Sequence, residues 1–173
     1  MSERAVPAQQ TSMTPATEDE RTVLENLVQL YVYDWSELLH FEIGANGRFE
    51  DFSLDAYWLD NWRHPFLLRV GDNLAGFALI EERSKVTGNR GVFDMTEFFV
   101  LRKFRRRGVG LAAAFAAFDR FKGPWEIRQR EENPVATTFW RRAIGDYTRG
   151  NYQDMRWDRT EWTELVQTFS TRI

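Results

Sequence analysis

Cysteine is absent from the 173-residue chain. That absence excludes disulfides, thiolate zinc sites, iron–sulfur clusters, redox thiols and a cysteine nucleophile. Histidine is nearly as scarce. His40 and His64 are the only two, too few for a multi-histidine metal centre, and no metal site is expected. Serine occurs six times without a G-x-S-x-G arrangement, so a Ser-His-Asp hydrolase would lack its nucleophile elbow. No apolar run approaches the roughly eighteen residues that a membrane span needs. The N-terminus lacks the basic-then-apolar order of a secretory signal. A cytoplasmic protein that does not enter the membrane is the expectation.

Positive charge is not in excess either. The 23 basic and 26 acidic residues leave a net charge of -3, which disfavours a nucleic-acid partner. One segment departs from this balance: Arg102-Lys103-Phe104-Arg105-Arg106-Arg107 holds five positive charges in six residues. Aromatics are plentiful, with 14 Phe, 7 Trp and 5 Tyr. A large core, a lined pocket or a partner surface would each use them.

Residues 1–16 are rich in Ser, Thr, Pro and Gln without hydrophobic periodicity, and read as a flexible tail. Residues 17–173 read as a single domain, since the length suits one apolar core. From Glu18 to about His40, apolar residues return every three or four positions, as in an amphipathic helix with a possible break at Asp34-Trp35-Ser36. A loop with a short helix near Ser53–Leu59 follows. Phe66–Val70 and Leu74–Glu81 flank the turn residues Gly71-Asp72-Asn73 and read as a hairpin. Val92–Leu101 is a third strand. The alanine-rich run after Gly110 is a helix with Phe115, Phe118 and Phe121 on one face. Gly123-Pro124 ends it, and Trp125–Gln129 alternates as a strand. Asn133-Pro134 opens a helix as N-cap and first-turn proline, continuing to about Ile144. Tyr152–Trp157 and Trp162–Phe169 close the chain as strands. This order predicts an α/β domain with a mixed sheet.

The chemistry concentrates where the third strand meets the alanine-rich helix. Backbone N–H groups at a helix N-terminus have no intrahelical partner, and the dipole there favours an anion. Gly108 and Gly110 allow unusual torsions and close approach, and the arginines can add charge-assisted contacts. The spacing is neither the G-x-G-x-x-G dinucleotide pattern nor the P-loop. From these residues alone a phosphate-bearing ligand, a solvated basic turn, and nucleic-acid binding with Phe104 interleaved among the charges all stay open.

The segment from Phe98 to Gly110 resembles the acetyl-coenzyme A signature of the GNAT superfamily of N-acetyltransferases. Arg105, Gly108 and Gly110 stand at the defined positions of its Arg/Gln-x-x-Gly-x-Gly/Ala pattern. Asn133-Pro134-Val135-Ala136-Thr137-Thr138-Phe139-Trp140 resembles a second element of the family, N-x-x-A-x-x-F-Y. The resemblance runs from about Pro65 to Trp157. It implies a mixed, mostly antiparallel central sheet with splayed parallel strands, flanked by helices. It also implies acetyl transfer from acetyl-coenzyme A, as acyl-donor cosubstrate, to a primary amine of a small molecule or peptide. Amides from Arg106, Arg107, Gly108, Val109 and Gly110 would hold the pyrophosphate. Phe99, Val100 and Leu101 would bond the pantetheine arm through the main chain, and Asn133 through its side chain, unless Asn133 is only a helix cap. Phe139 and Trp140 would flank the thiol. Monomer and homodimer both stay open.

For proton transfer the resemblance implies a carboxylate base on the strand before the signature, with Asp94, Glu97, or neither and a water relay as the alternatives. Strand alternation puts them on opposite faces unless a bulge intervenes. Where many relatives carry a tyrosine acid, this chain has Trp140, whose indole N–H is not a practical acid. Tyr147 and Tyr152 are the substitutes considered. Acceptor specificity is expected from Tyr31, Tyr33, Asp34, Trp35, Glu42, Phe52, Tyr57 and Trp58, where aromatics and carboxylates could enclose a cationic amine. Tyr31 and Trp35 share a helix face, and core is the stronger reading for both. The tryptophan keeps a second reading in play, a non-catalytic acyl-coenzyme A sensor. The Arg102–Arg107 patch keeps a third, nucleic-acid binding.

Overall fold

A computed structural model describes residues 11–50 and 53–171. Its frame is a seven-stranded sheet ordered β1-β2-β3-β4-β5-β7-β6. The strands are β1 (Thr11–Pro15), β2 (Arg63–Val70), β3 (Asn73–Arg83), β4 (Arg90–Val100), β5 (Pro124–Arg130), β6 (Gln153–Asp158) and β7 (Thr163–Ser170). Every neighbouring pair is antiparallel except β4 and β5. The mixed, mostly antiparallel sheet expected from the sequence is therefore present.

Helices cover both faces. α1 (Arg21–Leu39) buries Leu24, Leu27, Val28 and Val32, an apolar stripe at helical spacing, against Leu67, Phe77, Leu79 and Phe99 of the sheet. The short α2 (Ala56–Leu59) adds Tyr57 to that layer. On the opposite face, α3 (Val109–Arg120) and α4 (Pro134–Thr148) enclose Ile80, Met95, Trp125 and Ile127 with Phe118, Trp140 and Ile144. Among the described residues no helix is long and apolar enough to cross a membrane.

Two sequence expectations are corrected. Residues 11–15 are not tail: they pair with β2 from Thr11↔Val70 to Pro15↔Phe66, so the sheet's backbone bonds hold a segment that has no apolar pattern of its own. Residues 1–10 of the expected tail lie outside the described residues. The expected break in α1 is absent as well. Asp34 is satisfied by arginines outside the helix, and Ser36 Oγ donates to the Tyr33 carbonyl at 2.7 Å. Neither residue has to open the helix to find a partner.

β4 and β5 are ladder partners only at Phe93↔Trp125 and Asp94↔Glu126. Beyond Asp94 the two parallel strands part. The gap between them opens beside the N-terminus of α3, where β4 ends.

Candidate active site

At that N-terminus the backbone turns left-handed twice, at Arg106 (φ 56°) and at Gly108 (φ 82°). Turns of this kind gather successive N–H groups into an anion-binding concavity. Glycine suits position 108 because an L side chain there would be strained, although the space around it is open. The first helical bond runs from Ala112 N to Gly108 O at 2.9 Å. The amides of Val109, Gly110 and Leu111 therefore lie ahead of the helical ladder. Gly110 serves packing too: a Cβ there would sit 3.3 Å from the Phe139 ring, so its absence lets α3 close on α4.

The basic run divides its labour. Phe104 is 6% exposed and packs with Leu68, Val70, Val109 and Ala113. It anchors the turn and is not interleaved for bases, which removes the feature that favoured nucleic acid. Arg102 donates to Asp34 of α1 through Nε at 3.1 Å and Nη2 at 2.8 Å. Arg105 also pairs with Asp34, and its Nε donates to the Val100 carbonyl at 2.7 Å. Both guanidinium groups, though exposed, are engaged by Asp34, so the turn offers its main-chain amides together with Arg106 and Arg107.

Register sorts the main-chain groups of β4. Phe99 pairs with Phe77, and Leu101 N donates to Ala75 O at 2.8 Å, so the amides of Phe99 and Leu101 face β3. Alternation turns those of Phe98 and Val100 towards the gap. Of the expected trio Phe99, Val100 and Leu101, only Val100 presents its amide there, and Phe98 joins it.

The other side of the gap is built from side chains. The ladder pairs Leu79 with Glu97 but Ile80 with Met95, which leaves Thr96 as the extra residue of a bulge. The bulge restores Asp94 and Glu97 to one face, that of α1, against the alternation expected from sequence. Asp94 is fully buried, and Arg128 clamps it with Nε at 2.8 Å and Nη2 at 3.2 Å. Arg128 Nη1 also donates to Glu164 at 2.9 Å. Glu81 pairs with Lys85 Nζ at 2.5 Å and Arg63 Nη1 at 3.4 Å, and accepts from the Tyr57 hydroxyl at 3.3 Å. Glu126 accepts from Ser84 Oγ at 2.6 Å and from the amides of Lys85 and Val86. Glu97, half-buried three residues beyond Asp94, is met instead by a neutral donor, the Tyr31 hydroxyl.

Burial sets the proton affinities here. It pushes the Asp94 carboxyl up to about 7, against the pull of Arg128 and with help from Glu126. It likewise pushes Glu97 up to about 7, although the Tyr31 hydrogen bond and the Arg128 charge act the other way. Burial also holds the Tyr31 hydroxyl well above its ordinary value, and the Glu97 charge adds to this. For Arg128, burial pulls downward, but Asp94 and Glu164 outweigh it and keep the guanidinium protonated.

On α4, Asn133 takes the N-cap place expected of it. Asn133 Oδ1 accepts from Ala136 N at 3.1 Å, so Asn133 caps the helix. Phe139 stacks on Phe98 with centroids 5.9 Å apart. Trp140 is core, buried against Phe98 and Phe118. Tyr147 donates to Asp119 at 2.8 Å near the C-terminal end of α3, the end remote from the glycine turn. That position excludes it as the acid at the gap. Among the expected acceptor residues, Tyr33 and Glu42 are exposed, Asp34 is taken by arginines, Tyr57 lies beneath Glu81, and Phe52 is outside the described residues. Tyr31 was ambiguous with core in the sequence. A tyrosine on a buried stripe still needs a partner for its hydroxyl, and that signal points to a polar group beneath α1.

Residues 24–145 match the family model of the acetyltransferase (GNAT) family. No curated protein matches the chain by sequence. Solved structures do. An acetyltransferase from Thermus thermophilus is 16% identical with a TM-score of 0.64, covering 93% of this chain and 97% of its own. A spermidine N-acetyltransferase from Vibrio cholerae, solved with CoA and spermine, is 10% identical with a TM-score of 0.64, covering 94% and 96%. At such identities the likeness speaks for the fold.

Proposed function

The chain belongs to the acetyltransferase (GNAT) family, and on that premise we propose that it transfers an acetyl group from acetyl-coenzyme A to a primary amine by direct attack on the thioester. The observation that carries this reading is the gap where β4 and β5 part, with amide donors of the α3 N-terminus at one end and Glu97 on its α1 side. The donor set fits the coenzyme, because unladdered amides beside two left-handed residues suit a pyrophosphate.

Amides from Arg106 to Gly110 hold the phosphates, and the amides of Phe98 and Val100 meet the pantetheine arm or the carbonyl beyond it. Phe139 borders that arm. The coenzyme supplies an activated carbonyl and a thiolate leaving group. Glu97 takes the proton that the amine loses as the C–N bond forms, and water returns a proton to the sulfur as the C–S bond breaks. Asp94 orients Arg128 and does not exchange protons with the acceptor. The acidic face made by Glu81, Asp94 and Glu97 suits an amine that arrives as a cation, sheds one proton to solvent and attacks as the neutral amine.

Amine-dependent release of free thiol from acetyl-coenzyme A tests the reading. With Glu97 titrating near 7, kcat/KM rises with pH through about 7, as the base loses its proton. Glu97→Gln removes that limb and lowers kcat/KM by about 10²–10⁴-fold, while calorimetric affinity for the coenzyme stays near that of the wild type. Tight coenzyme binding without thiol release for any amine in a broad panel would overturn the transferase reading in favour of an acyl-coenzyme A sensor.

A further inference from the structure

The carboxylates under α1 differ in what holds them. Arg128 clamps Asp94, and Lys85 and Arg63 hold Glu81. Arg128 takes both oxygens of Asp94 and leaves neither free for a substrate proton. Glu97 has a neutral hydroxyl instead, from Tyr31 of α1. The Tyr31 ring is already fully used as an apolar group: it meets Phe77 at 5.6 Å, Phe99 at 5.7 Å and Trp35 at 6.2 Å, all edge-on. Phenylalanine would fill that space equally well, so packing does not account for the hydroxyl.

We propose that Tyr31 is a positioning residue of the transfer reaction, its hydroxyl fixing the Glu97 carboxylate towards the gap between β4 and β5. The bond occupies Oε2 and leaves Oε1 for the proton of the incoming amine. This assignment rests on the transferase reading above. Tyr31 itself does not exchange a proton with substrate. It acts through Glu97, by restricting the carboxylate's rotation and by favouring its ionised form.

The groups that face Glu97 are Tyr31 from α1, Tyr57 from α2, Glu81 and Lys85 from the end of β3 and the turn after it, Asp94 on its own strand and Arg128 from β5. Of these, Tyr31 alone donates a hydrogen bond to it among the described residues. Removing that bond makes Glu97 harder to ionise, so the acid limb of activity moves to higher pH.

The experiment compares pH profiles of kcat/KM for the wild type, Tyr31→Phe, Glu97→Gln and the double variant, with calorimetric coenzyme affinity alongside. Tyr31→Phe keeps the ring packing. It is expected to lower kcat/KM at neutral pH on the order of tenfold, the worth of a hydrogen bond to a charged group. The loss shrinks as pH rises, because Glu97 then ionises without assistance. Adding Tyr31→Phe to Glu97→Gln changes kcat/KM by no more than about twofold, since residues that act through one bond are not additive. A wild-type acid limb in Tyr31→Phe, or losses that multiply in the double variant, would overturn the assignment while leaving the transferase reading intact. A wild type that binds coenzyme and releases no thiol would overturn both. Should Tyr31→Phe fold poorly, Tyr31→Met, which also fills apolar space without a hydroxyl, completes the same cycle, and a wild-type acid limb in it would overturn the assignment.

Discussion

At the N-terminus of α3 the site is made of backbone, whereas under α1 it is made of side chains brought from many separate segments. The amides of Val109, Gly110 and Leu111 are available because of where a helix starts, and two of the arginines before them, Arg102 and Arg105, are engaged by Asp34. The carboxylate cluster depends on a bulge at Thr96, a clamp from β5, a turn after β3 and hydroxyls from two helices. A ligand held by backbone needs little from side-chain identity beyond the glycines. Proton transfer needs one carboxylate made different from its neighbours. Along β4 burial raises Asp94 and Glu97 alike to about 7, and the difference lies in their partners: Arg128 takes both oxygens of Asp94, whereas Tyr31 takes one of Glu97.

The sharpest way to break this contrast is Asp94→Asn. It leaves Arg128 buried with half its partners, and unfolding in denaturant should show a loss of about 3–5 kcal/mol. If Asp94→Asn instead leaves stability unchanged and abolishes the pH limb, the roles of Asp94 and Glu97 are reversed. Gly108→Val tests the backbone side. Its Cβ meets no neighbour within 4 Å, so its stability cost is only that of left-handed backbone, about 1–2 kcal/mol. Coenzyme affinity should fall by about tenfold, the scale of an anion contact at a helix terminus, as read by calorimetry. A stability loss without a change in affinity would make the turn purely structural. The smallest effect belongs to Asp34→Asn. Its ion pairs are with exposed arginines, so the unfolding free energy should shift by less than about 1 kcal/mol. A larger change would mean that side-chain charge, and not backbone, shapes the turn.

The backbone half was legible in the sequence because its causes are local. Gly108, Gly110 and the alanine run declare a strand-to-helix turn, and Asn133-Pro134 declares a helix start that the structure contains. The side-chain half was not. A single extra residue in β4 decides which face Glu97 occupies, and nothing in the order Met95-Thr96-Glu97 marks Thr96 as unpaired. The clamp on Asp94 joins residues 34 positions apart, and the Tyr31 bond joins residues 66 apart. The burial of Trp140 against Phe98 and Phe118 is likewise a packing fact that its motif position does not declare. β1 was missed for a related reason: its stability lies in main-chain pairing with β2, which leaves no trace in side-chain pattern.

Tyr31 and Asp34 stand three residues apart on α1, about 4.5 Å along its axis. One reaches down to Glu97 and the other across to Arg102 and Arg105. α1 is therefore tied firmly on one side, through the Tyr31 hydroxyl on Glu97, and loosely on the other, through ion pairs to exposed arginines, so a change at the basic turn is expected to leave the proton-accepting carboxylate in place.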